Sequence, residues 1–329
     1  SIRVHAFVPA LPRTFLDYNL VTGDALAGIG TLDEVTEILN VEQSSLGMFT
    51  GGQSVMNEIR DDIDELGRVA DASAEQVQEA RETRAKIEEK LEQVRARFDI
   101  LAASRINEDI NTDPVSDTGI DITEHESYAV SQNVLESTNP LHFPAAFPEV
   151  FDEDNSGFDV IIGNPPWEES VLEEDEFWTR HQPGLQREES HGGNKDEIIS
   201  ELKEKRPDLL SQYEREREVQ EKRRSILREG PYPGIGKGDP DTYKAFTWRF
   251  WDLICNEGYV GAVLPSGVFL TAGSETFRRR LLEQAIVTDL TFLTNQGQWV
   301  FENVHPQLII GLLCYQQSEP SLEDTLPLR

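Results

Sequence analysis

Asparagine, two prolines and tryptophan directly follow an apolar segment, since residues 158–167 read FDVIIGNPPW. The rings of Pro165 and Pro166 lock the backbone dihedral φ and remove two N–H donors, so the carbonyls of this turn keep a fixed direction. The side-chain oxygen of Asn164 and the carbonyl of Pro165 can both accept hydrogen bonds from one NH₂ group. Trp167 adds a flat surface for a ring. This combination fits an exocyclic amine on a flat heterocycle, and the amine of adenine fits best.

Such an amine is a poor nucleophile because its lone pair is delocalised into the ring. Acceptors on both hydrogens favour a pyramidal nitrogen and stabilise the positive charge that develops as the nitrogen attacks. Each neutral hydrogen bond contributes only about 1 kcal/mol net, whereas alignment of the amine with an electrophile can contribute about 7–11 kcal/mol. The predicted chemistry is group transfer to an amine by positioning, without a titrating base in the motif.

A buried strand must carry this motif to the rim of a sheet. FDVIIG is typical of such a strand, and after residue 240 predicted strands and helices alternate. The predicted strands are GYVGAVLP (258–265), IVTDLTFLTN (286–295) and LIIGLLCY (308–315), and the predicted helices are TYKAFTWRFWDLI (242–254) and SETFRRRLLEQ (274–284), with Ser274 as N-cap. This alternation predicts an α/β sheet buried on both faces. Ligands of such sheets bind at the carboxyl ends of the strands, where NPPW stands.

Strand, tetrapeptide and following sheet together resemble the catalytic region of the DNA amino-methyltransferases, which use S-adenosylmethionine. The resemblance implies a Rossmann-like class I S-adenosylmethionine-dependent methyltransferase sheet. It also implies that Asn164, Pro165, Pro166 and Trp167 are the catalytic motif. Asparagine at the first position favours the N6 amine of adenine over the N4 amine of cytosine. A strand-ending turn with a packed tryptophan is the alternative reading of these four residues.

Flanking segments extend the resemblance to type IIG restriction-modification and phage-exclusion enzymes. FLDYNLVTGDALAGIG resembles the segment whose acidic residue binds the adenine amine of the cofactor, which implies Asp24. TYKAF resembles the helix start that places an aromatic ring against that adenine, which implies Phe246. WVFENVHPQLIIGLL resembles the motif that stacks on the flipped target base, which implies Phe301, with Trp299 as competitor. Asp24 as a turn residue and Phe246 as a core residue remain alternatives.

Stacking on both sides of the target base would favour its extrusion from DNA. Extruding a base costs a few kcal/mol, and aromatic stacking returns about 1–3 kcal/mol per base. Stacking of a flipped adenine between Trp167 and Phe301 would therefore offset most of the cost of extrusion.

Two parts of the family pattern are missing. The family has a glycine-rich loop after its first strand and an acid after its second, and both precede the segment that matches NLVTGD. Only eighteen residues stand there, without that glycine pattern. The resemblance therefore implies the later portion of a longer protein, with a sheet incomplete at its N-terminal side. The implied partners are double-stranded DNA with a flipped adenine, the missing N-terminal methyltransferase portion and a target-recognition domain.

The chain is expected to divide into three regions. Residues 1–30 hold a methyltransferase core strand and turn, the strand being NLVTGDAL. Residues 31–156 form a helical insertion and an irregular linker, and residues 157–329 form the catalytic half with a charged insertion at 168–235. Within that insertion, EREREVQEKRRSILREG (214–230) predicts a polar helix. From residue 59 to 101 apolar positions recur at heptad spacing. Ser73-Ala-Glu-Gln76 forms a candidate capping box, so a helical hairpin and one long helix stay open. Packing of this helix on its own neighbours is favoured over a partner-binding coiled coil.

The charge balance is strongly acidic, with 61 acidic and 30 basic residues and a formal net charge of −31. In dilute buffer this charge repels a polyanion, but at molar salt the Debye length is about 3 Å and the repulsion largely vanishes. We interpret the acidity as adaptation to a salt-rich cytoplasm, and an ordinary acidic protein is the alternative. No apolar run is long enough to span a membrane, and no cysteine and histidine cluster has zinc spacing. Cys255 and Cys314 are predicted to be buried, reduced thiols.

Three functions are compatible with these residues. The first is a portion of an N6-adenine DNA methyltransferase within a restriction-modification or phage-defence protein. The second is a catalytically inactive relative that binds DNA or a partner in phage defence. The third is an enzyme of the same class that methylates another amine, in RNA or in a protein glutamine.

Overall fold

The structure is a computed structural model that describes residues 20–40, 74–117, 119–151, 157–167, 174–181, 195–235, 240–301, 307–321 and 325–327. The chain divides into two compact units, Ser1–Ser156 and Gly157–Arg329. Among the described residues, no helix has both the length and the apolar composition needed to cross a membrane.

The first unit is built around one long helix. The α-helices in its described residues are α1 Leu32–Leu39, α2 Ala74–Ile106, α3 Glu126–Val134 and the single turn α4 Phe143–Ala146. Two 3₁₀ turns, Asp113–Ser116 and Ile122–Glu124, lie between α2 and α3. Helix α3 packs against α2, so α2 is the central helix of the described part of this unit.

The heptad pattern on α2 is confirmed where its side chains are described. Its apolar positions are all buried in the core of the unit: Ile87, Leu91, Val94, Phe98 and Leu101. The helix therefore packs on its own neighbours, which is the interpretation that the sequence favoured. It starts at Ala74, directly after the candidate capping box begins. The first arm of the predicted hairpin, residues 59–73, lies outside the described residues.

The linker predicted as irregular contains regular structure. Helix α3 was not expected because its sequence, ESYAVSQNV, has few apolar residues. It is stabilised by packing, since Tyr128 and Val134 contact the core around α2. Gln132 of α3 also donates a 2.9 Å hydrogen bond to Asp99 of α2. Tertiary contacts thus override a weak local signal.

Residues 20–30 form a turn and not the predicted short strand. The only strand-like pairing in the described part of this segment is a single bridge between Asp24 and Pro140. His142 anchors the turn, because its Nδ1 accepts the Ile29 N–H at 3.0 Å while Nε2 lies 2.9 Å from Asp99 Oδ1. The assignment of residues 1–30 to the methyltransferase core stays a prediction, and the described contacts of residues 20–30 lie within the first unit.

A buried ion pair ties α1 to α2. Arg105 donates a 2.6 Å hydrogen bond to Glu34 Oε2, and the two side chains are 11% and 5% exposed. We expect Arg105→Met to lower the free energy of unfolding by about 3–5 kcal/mol, because the carboxylate is then buried without its cation. Urea denaturation measures this loss. The double variant Arg105→Met, Glu34→Gln should recover most of it, and equal stability of the single variant and wild type would contradict the expectation.

The described residues of the second unit contain one mixed four-stranded sheet. Its strands are β1 Phe158–Gly163, β2 Ile254–Pro265, β3 Ile286–Thr294 and β4 Ile309–Gln316. Their spatial order is β1-β2-β4-β3. β1 and β2 are parallel, and β4 is antiparallel to both β2 and β3. All four predicted strands are confirmed, and the carboxyl ends of β1, β2 and β3 lie at the same edge.

One face of the sheet is buried and the opposite face is partly open. Among the residues on the buried face, Val260, Leu264, Leu313 and Tyr315 are at most 2% exposed. On the opposite face, Val160 and Ile162 of β1 are 57% and 86% exposed and Tyr259 of β2 is 47% exposed. The prediction of a sheet buried on both faces is therefore wrong for the described residues. The apolar strand pattern was correct, but such a pattern does not show whether each face of the sheet is covered along its whole length.

Cys314 shows the same asymmetry. It lies on the open face beside Gly261, where a Cβ on that glycine would be 3.9 Å from the thiol sulfur. Cys314 is exposed and Cys255 half-buried, and both are free thiols. The prediction of two buried cysteines is thus also wrong. Burial raises the pKa of Tyr315 on the other face.

The charged segment between β1 and β2 has a small core of its own. Its helices are α5 Glu174–His181, α6 Lys195–Lys205 and α7 Pro207–Glu229. Five residues from these helices pack together: Phe177, Trp178, Ile199, Leu209 and Tyr213. The predicted polar helix is confirmed as α7.

Three helices cover the buried face of the sheet: α8 Thr242–Leu253, α9 Gly267–Leu270 and α10 Glu275–Gln284. Trp251 of α8 stacks on Tyr315 of β4 with ring centroids 5.8 Å apart. Phe269 of α9 meets Phe292 of β3 edge to face at 5.3 Å. Ser274 takes the N-cap position of α10 as predicted, but its side chain forms no capping hydrogen bond.

Candidate functional site

The NPPW motif stands at the edge of the sheet where three strands end. Asn164 directly follows β1, and the paired strand β2 runs in parallel to Pro265 at the same edge. β3 ends at Thr294 beside them, with β4 between β2 and β3. The carboxyl ends of parallel strands are where α/β sheets bind ligands. The motif therefore occupies the expected place.

Asn164 is exposed, Pro165 is buried, Pro166 is exposed and Trp167 is half-buried. None of the described residues forms a hydrogen bond with the Asn164 amide. Asn164 and Pro165 thus form a corner of the chain in which the Pro165 ring is packed and the Asn164 side chain faces solvent. This arrangement leaves the Asn164 oxygen accessible to a ligand.

A close contact sets the position of this corner. Gly163, the last residue of β1, lies directly over the Phe250 ring of α8. A Cβ on Gly163 would be 2.7 Å from Phe250 Cζ, closer than non-bonded carbon atoms approach, and in tight contact with Cε2 at 3.3 Å. Phe250 in turn packs against Phe246, one helical turn earlier, with centroids 5.8 Å apart. The strand can reach Asn164 along this path only because residue 163 has no side chain.

Trp167 is fixed to the neighbouring strand. Its indole N–H points at the backbone carbonyl of Val263 in β2, at a long 3.4 Å. The ring thus lies across the end of the sheet and is not sunk in its interior. A half-buried ring in this position can offer one surface to a flat ligand.

Trp167 and Phe301 are in direct contact. Their ring centroids are 5.9 Å apart and the planes meet at 83°, an edge-to-face pair. The structure therefore brings together the two aromatics that the sequence implied for the target base. A base between parallel rings needs about 7 Å, twice the usual stacking distance of about 3.5 Å. Phe301 must rotate or withdraw before a base can lie between them.

Asn295 was not predicted as a site residue. Its side chain is completely buried just after β3. Its Oδ1 accepts the N–H groups of Val300 and Phe301, each at 3.2 Å, and its Nδ2 donates to the Phe301 carbonyl at 3.0 Å. Asn295 thereby closes the loop that carries Phe301. The only sequence feature that could have indicated this role is an asparagine between an apolar strand and the turn residues Gln-Gly-Gln.

We expect Asn295→Ala to lower the free energy of unfolding by about 1–3 kcal/mol, because it removes the side chain that binds partly buried backbone groups of Val300 and Phe301. Urea denaturation followed by circular dichroism measures the change. Asn256→Ala is the matched control, since Asn256 is exposed on β2 and surface changes usually stay within about 0.5 kcal/mol. Identical stability of the two variants would rule out the bracing role.

Asp24 lies in the first unit and is half-buried. Its Oδ1 accepts the backbone N–H groups of Leu26 and Ala27 at 2.9 and 3.2 Å. This is the geometry of an Asx turn, the alternative that the sequence left open. Among the described residues, the hydrogen bonds of the carboxylate are formed by Oδ1.

Phe246 is half-buried on α8. Through Phe250 it is linked to Gly163 and so to the start of the NPPW motif. It therefore has both a packing role and a partly accessible ring. In the described residues, no three side chains of His, Cys, Asp or Glu come together as a metal site.

Residues 59–200 match the family model described as Eco57I restriction-modification methylase. This match supports a methyltransferase of the restriction-modification type. The matched range contains the NPPW motif at 164–167 and also the long helix α2, which the motif resemblance did not cover. A search of curated proteins found no match.

Proposed function

We propose that this chain transfers a methyl group from S-adenosylmethionine to the N6 amine of adenine in DNA, as part of a larger restriction-modification or phage-defence protein. The observation that carries the proposal is the exposed Asn164 amide on a packed diproline corner, beside the Trp167 and Phe301 rings. The family match over the same motif supports the methyltransferase class.

Each member of the corner has a role in this reaction. The Asn164 side-chain oxygen and the Pro165 carbonyl accept the two hydrogens of the adenine amine and stabilise the positive charge on the attacking nitrogen. Trp167 supports the face of the base. Phe301 stacks on the other face after its ring has moved. The Gly163 contact with Phe250 keeps the acceptors in place, because alignment contributes most of the rate.

The residues proposed for the cofactor fit it in part. The Asp24 carboxylate can accept a hydrogen bond from the adenine amine of S-adenosylmethionine, and the partly accessible Phe246 ring can lie against the adenine. When bound, the cofactor supplies an electrophilic methyl group. An acceptor such as Asp24 and an aromatic surface are the groups that an aminopurine ring needs.

The proposed partners are duplex DNA, a preceding methyltransferase portion and a target-recognition domain. The open face of β1, with Val160 and Ile162 exposed, supports an additional covering element. β1 is also an edge strand of the described sheet, and the backbone N–H and C=O groups of an edge strand can pair with a further strand. The charge of −31 is proposed to suit a salt-rich cytoplasm, where DNA repulsion is screened.

Methyl transfer from labelled S-adenosylmethionine, measured in parallel on DNA, RNA and protein at molar KCl, tests the proposal. The expected result is label in DNA that depends on Asn164. Label in RNA or protein alone would favour an enzyme of the same class with another amine substrate. No label in any substrate, with DNA still bound, would favour a catalytically inactive relative.

A further inference from the structure

Trp299 is a large aromatic side chain held in solvent near the proposed site. It is 66% exposed, yet its indole N–H donates a 2.8 Å hydrogen bond to the Thr294 carbonyl. This bond fixes the ring at the carboxyl end of β3. A fixed and exposed indole presents a flat apolar surface at small cost in side-chain entropy.

The loop that carries Trp299 is held at both ends. Asn295 binds the backbone of Val300 and Phe301, as described above. Between them, Gly297 and Gln298 have φ values of 77° and 56°, so the chain turns through the left-handed region that favours glycine. The turn projects Trp299 outward while its neighbour Phe301 points to Trp167.

Trp299 and Trp167 are anchored too far apart to share one base. The Trp167 indole points at the Val263 carbonyl of β2, whereas the Trp299 indole bonds to Thr294 of β3. β4 lies between these strands, so the anchors are separated by two strand spacings, about 10 Å. Val263 and Thr294 also pair with β4 residues three positions apart, which adds about 10 Å along the strands. The Trp299 ring makes no ring contact with Trp167 or Phe301. A base stacked on Trp299 is therefore a different base from the one at Asn164.

The surroundings of Trp299 suit a nucleic acid. Residues 290–301 contain no charged residue, in a chain where 61 of 329 residues are acidic. Gln296 and Gln298 are exposed in the same turn, and amide side chains bind base edges and phosphates. The loop thus offers a ring and amide groups to DNA with no carboxylate from its own segment to repel a phosphate.

We infer that Trp299 stacks on a base next to the target base and fills the gap that the extruded base leaves in the duplex. The inference rests on the proposed function, because it requires duplex DNA as the substrate. It assigns Trp299 a role separate from target-base stacking, which Trp167 and Phe301 supply.

Binding of dye-labelled duplexes with and without one abasic site tests this role by fluorescence anisotropy of the intact protein. Molar KCl screens the net charge and weakens phosphate contacts, so that stacking dominates the affinity. Wild type should bind the abasic duplex more tightly than the complete duplex. Trp299→Ala should lose about 5- to 150-fold in affinity for the abasic duplex, the range for one base stacked on an aromatic ring.

Two control variants separate stacking from general effects. Trp299→Phe should keep a large part of the preference, because it keeps an aromatic face. Leu282→Ala, which removes another exposed apolar side chain on α10, should bind like wild type. Trp299→Ala should also unfold at the wild-type urea midpoint, since the side chain is exposed.

The results that would contradict this inference differ from those that would contradict the proposed function. Equal binding of wild type and Trp299→Ala would overturn the inference while leaving methyl transfer intact. Tighter binding to an RNA duplex with one abasic site than to the corresponding DNA duplex would overturn it as well. Binding that depends on Trp299, without any methyl transfer, would contradict the proposed reaction but would support the contact between Trp299 and DNA. No binding to either duplex would overturn both.

Discussion

Asn164→Leu is expected to lower the rate of methyl transfer by at least about 10²–10³-fold, the usual cost of removing one positioned polar group from a transition state. Leucine has a similar volume but no acceptor, so one hydrogen of the adenine amine loses its partner. Because Asn164 is exposed, the substitution should leave folding unchanged. Single-turnover transfer of labelled methyl in the intact protein measures the effect.

Asn164→Asp provides the matched comparison. A carboxylate keeps an acceptor oxygen at the same distance from the backbone, so this variant should retain more activity than Asn164→Leu. Both variants should bind S-adenosylmethionine like wild type, since Asn164 is assigned to the target amine. If Asn164→Leu transferred methyl groups at the wild-type rate, the motif would have no catalytic role.

The second large effect is expected at Gly163. Gly163→Ala places a Cβ 2.7 Å from Phe250 Cζ, and the Phe250 ring is already packed against Phe246. The overlap should displace the end of β1 and the Asn164 corner with it. A displacement of about 1 Å can cost about 10²-fold in rate. The rate of methyl transfer should therefore fall by up to that factor, with a smaller change in cofactor affinity.

Two further variants isolate the contact responsible. Gly163→Ala combined with Phe250→Leu should recover part of the rate, because leucine leaves room for the new methyl group. Gly261→Ala, on the adjacent strand, should have little effect, since a Cβ there would lie 3.9 Å from Cys314 Sγ and 4.0 Å from Ile162 Cγ1. Failure of the double variant to exceed Gly163→Ala would show that Phe250 does not set the corner.

The strands and most long helices of the second unit could be predicted from sequence, because apolar periodicity is a local signal. FDVIIG, GYVGAVLP, IVTDLTFLTN and LIIGLLCY all form strands, and α7, α8 and α10 form where expected. The buried seam of α2 was predictable for the same reason. Local pattern does not report which strands are neighbours, so the insertion of β4 between β2 and β3 was not anticipated.

Errors arose where tertiary contacts decide the structure. NLVTGDAL has a strand-like composition, but its described residues form a turn around Asp24 that pairs at one position with Pro140. ESYAVSQNV lacks apolar periodicity and forms α3 because α2 covers it. Val160 and Ile162 were expected to be buried because an apolar strand pattern cannot show whether a covering element is near.

The candidate site was predicted in part. The sequence singled out Trp167 and Phe301, and the structure places their rings in contact. Their edge-to-face geometry could not be predicted, because it depends on the loop that Asn295 closes. The bracing role of Asn295 and the Gly163 contact with Phe250 are properties of packing, and neither leaves a recognisable motif. The position of Asp24 relative to NPPW stays a prediction, since the two residues belong to different units.

The identity of the methylated nucleoside tests the central claim most directly. DNA is incubated with the intact protein and S-adenosylmethionine that carries an isotopically labelled methyl group, then digested to nucleosides and analysed by mass spectrometry. An acceptor pair at Asn164 and Pro165 aimed at a purine amine predicts label on N6-methyladenine. Label on a cytosine carbon would contradict it. Label on no nucleoside, although the protein binds S-adenosylmethionine, would also contradict it.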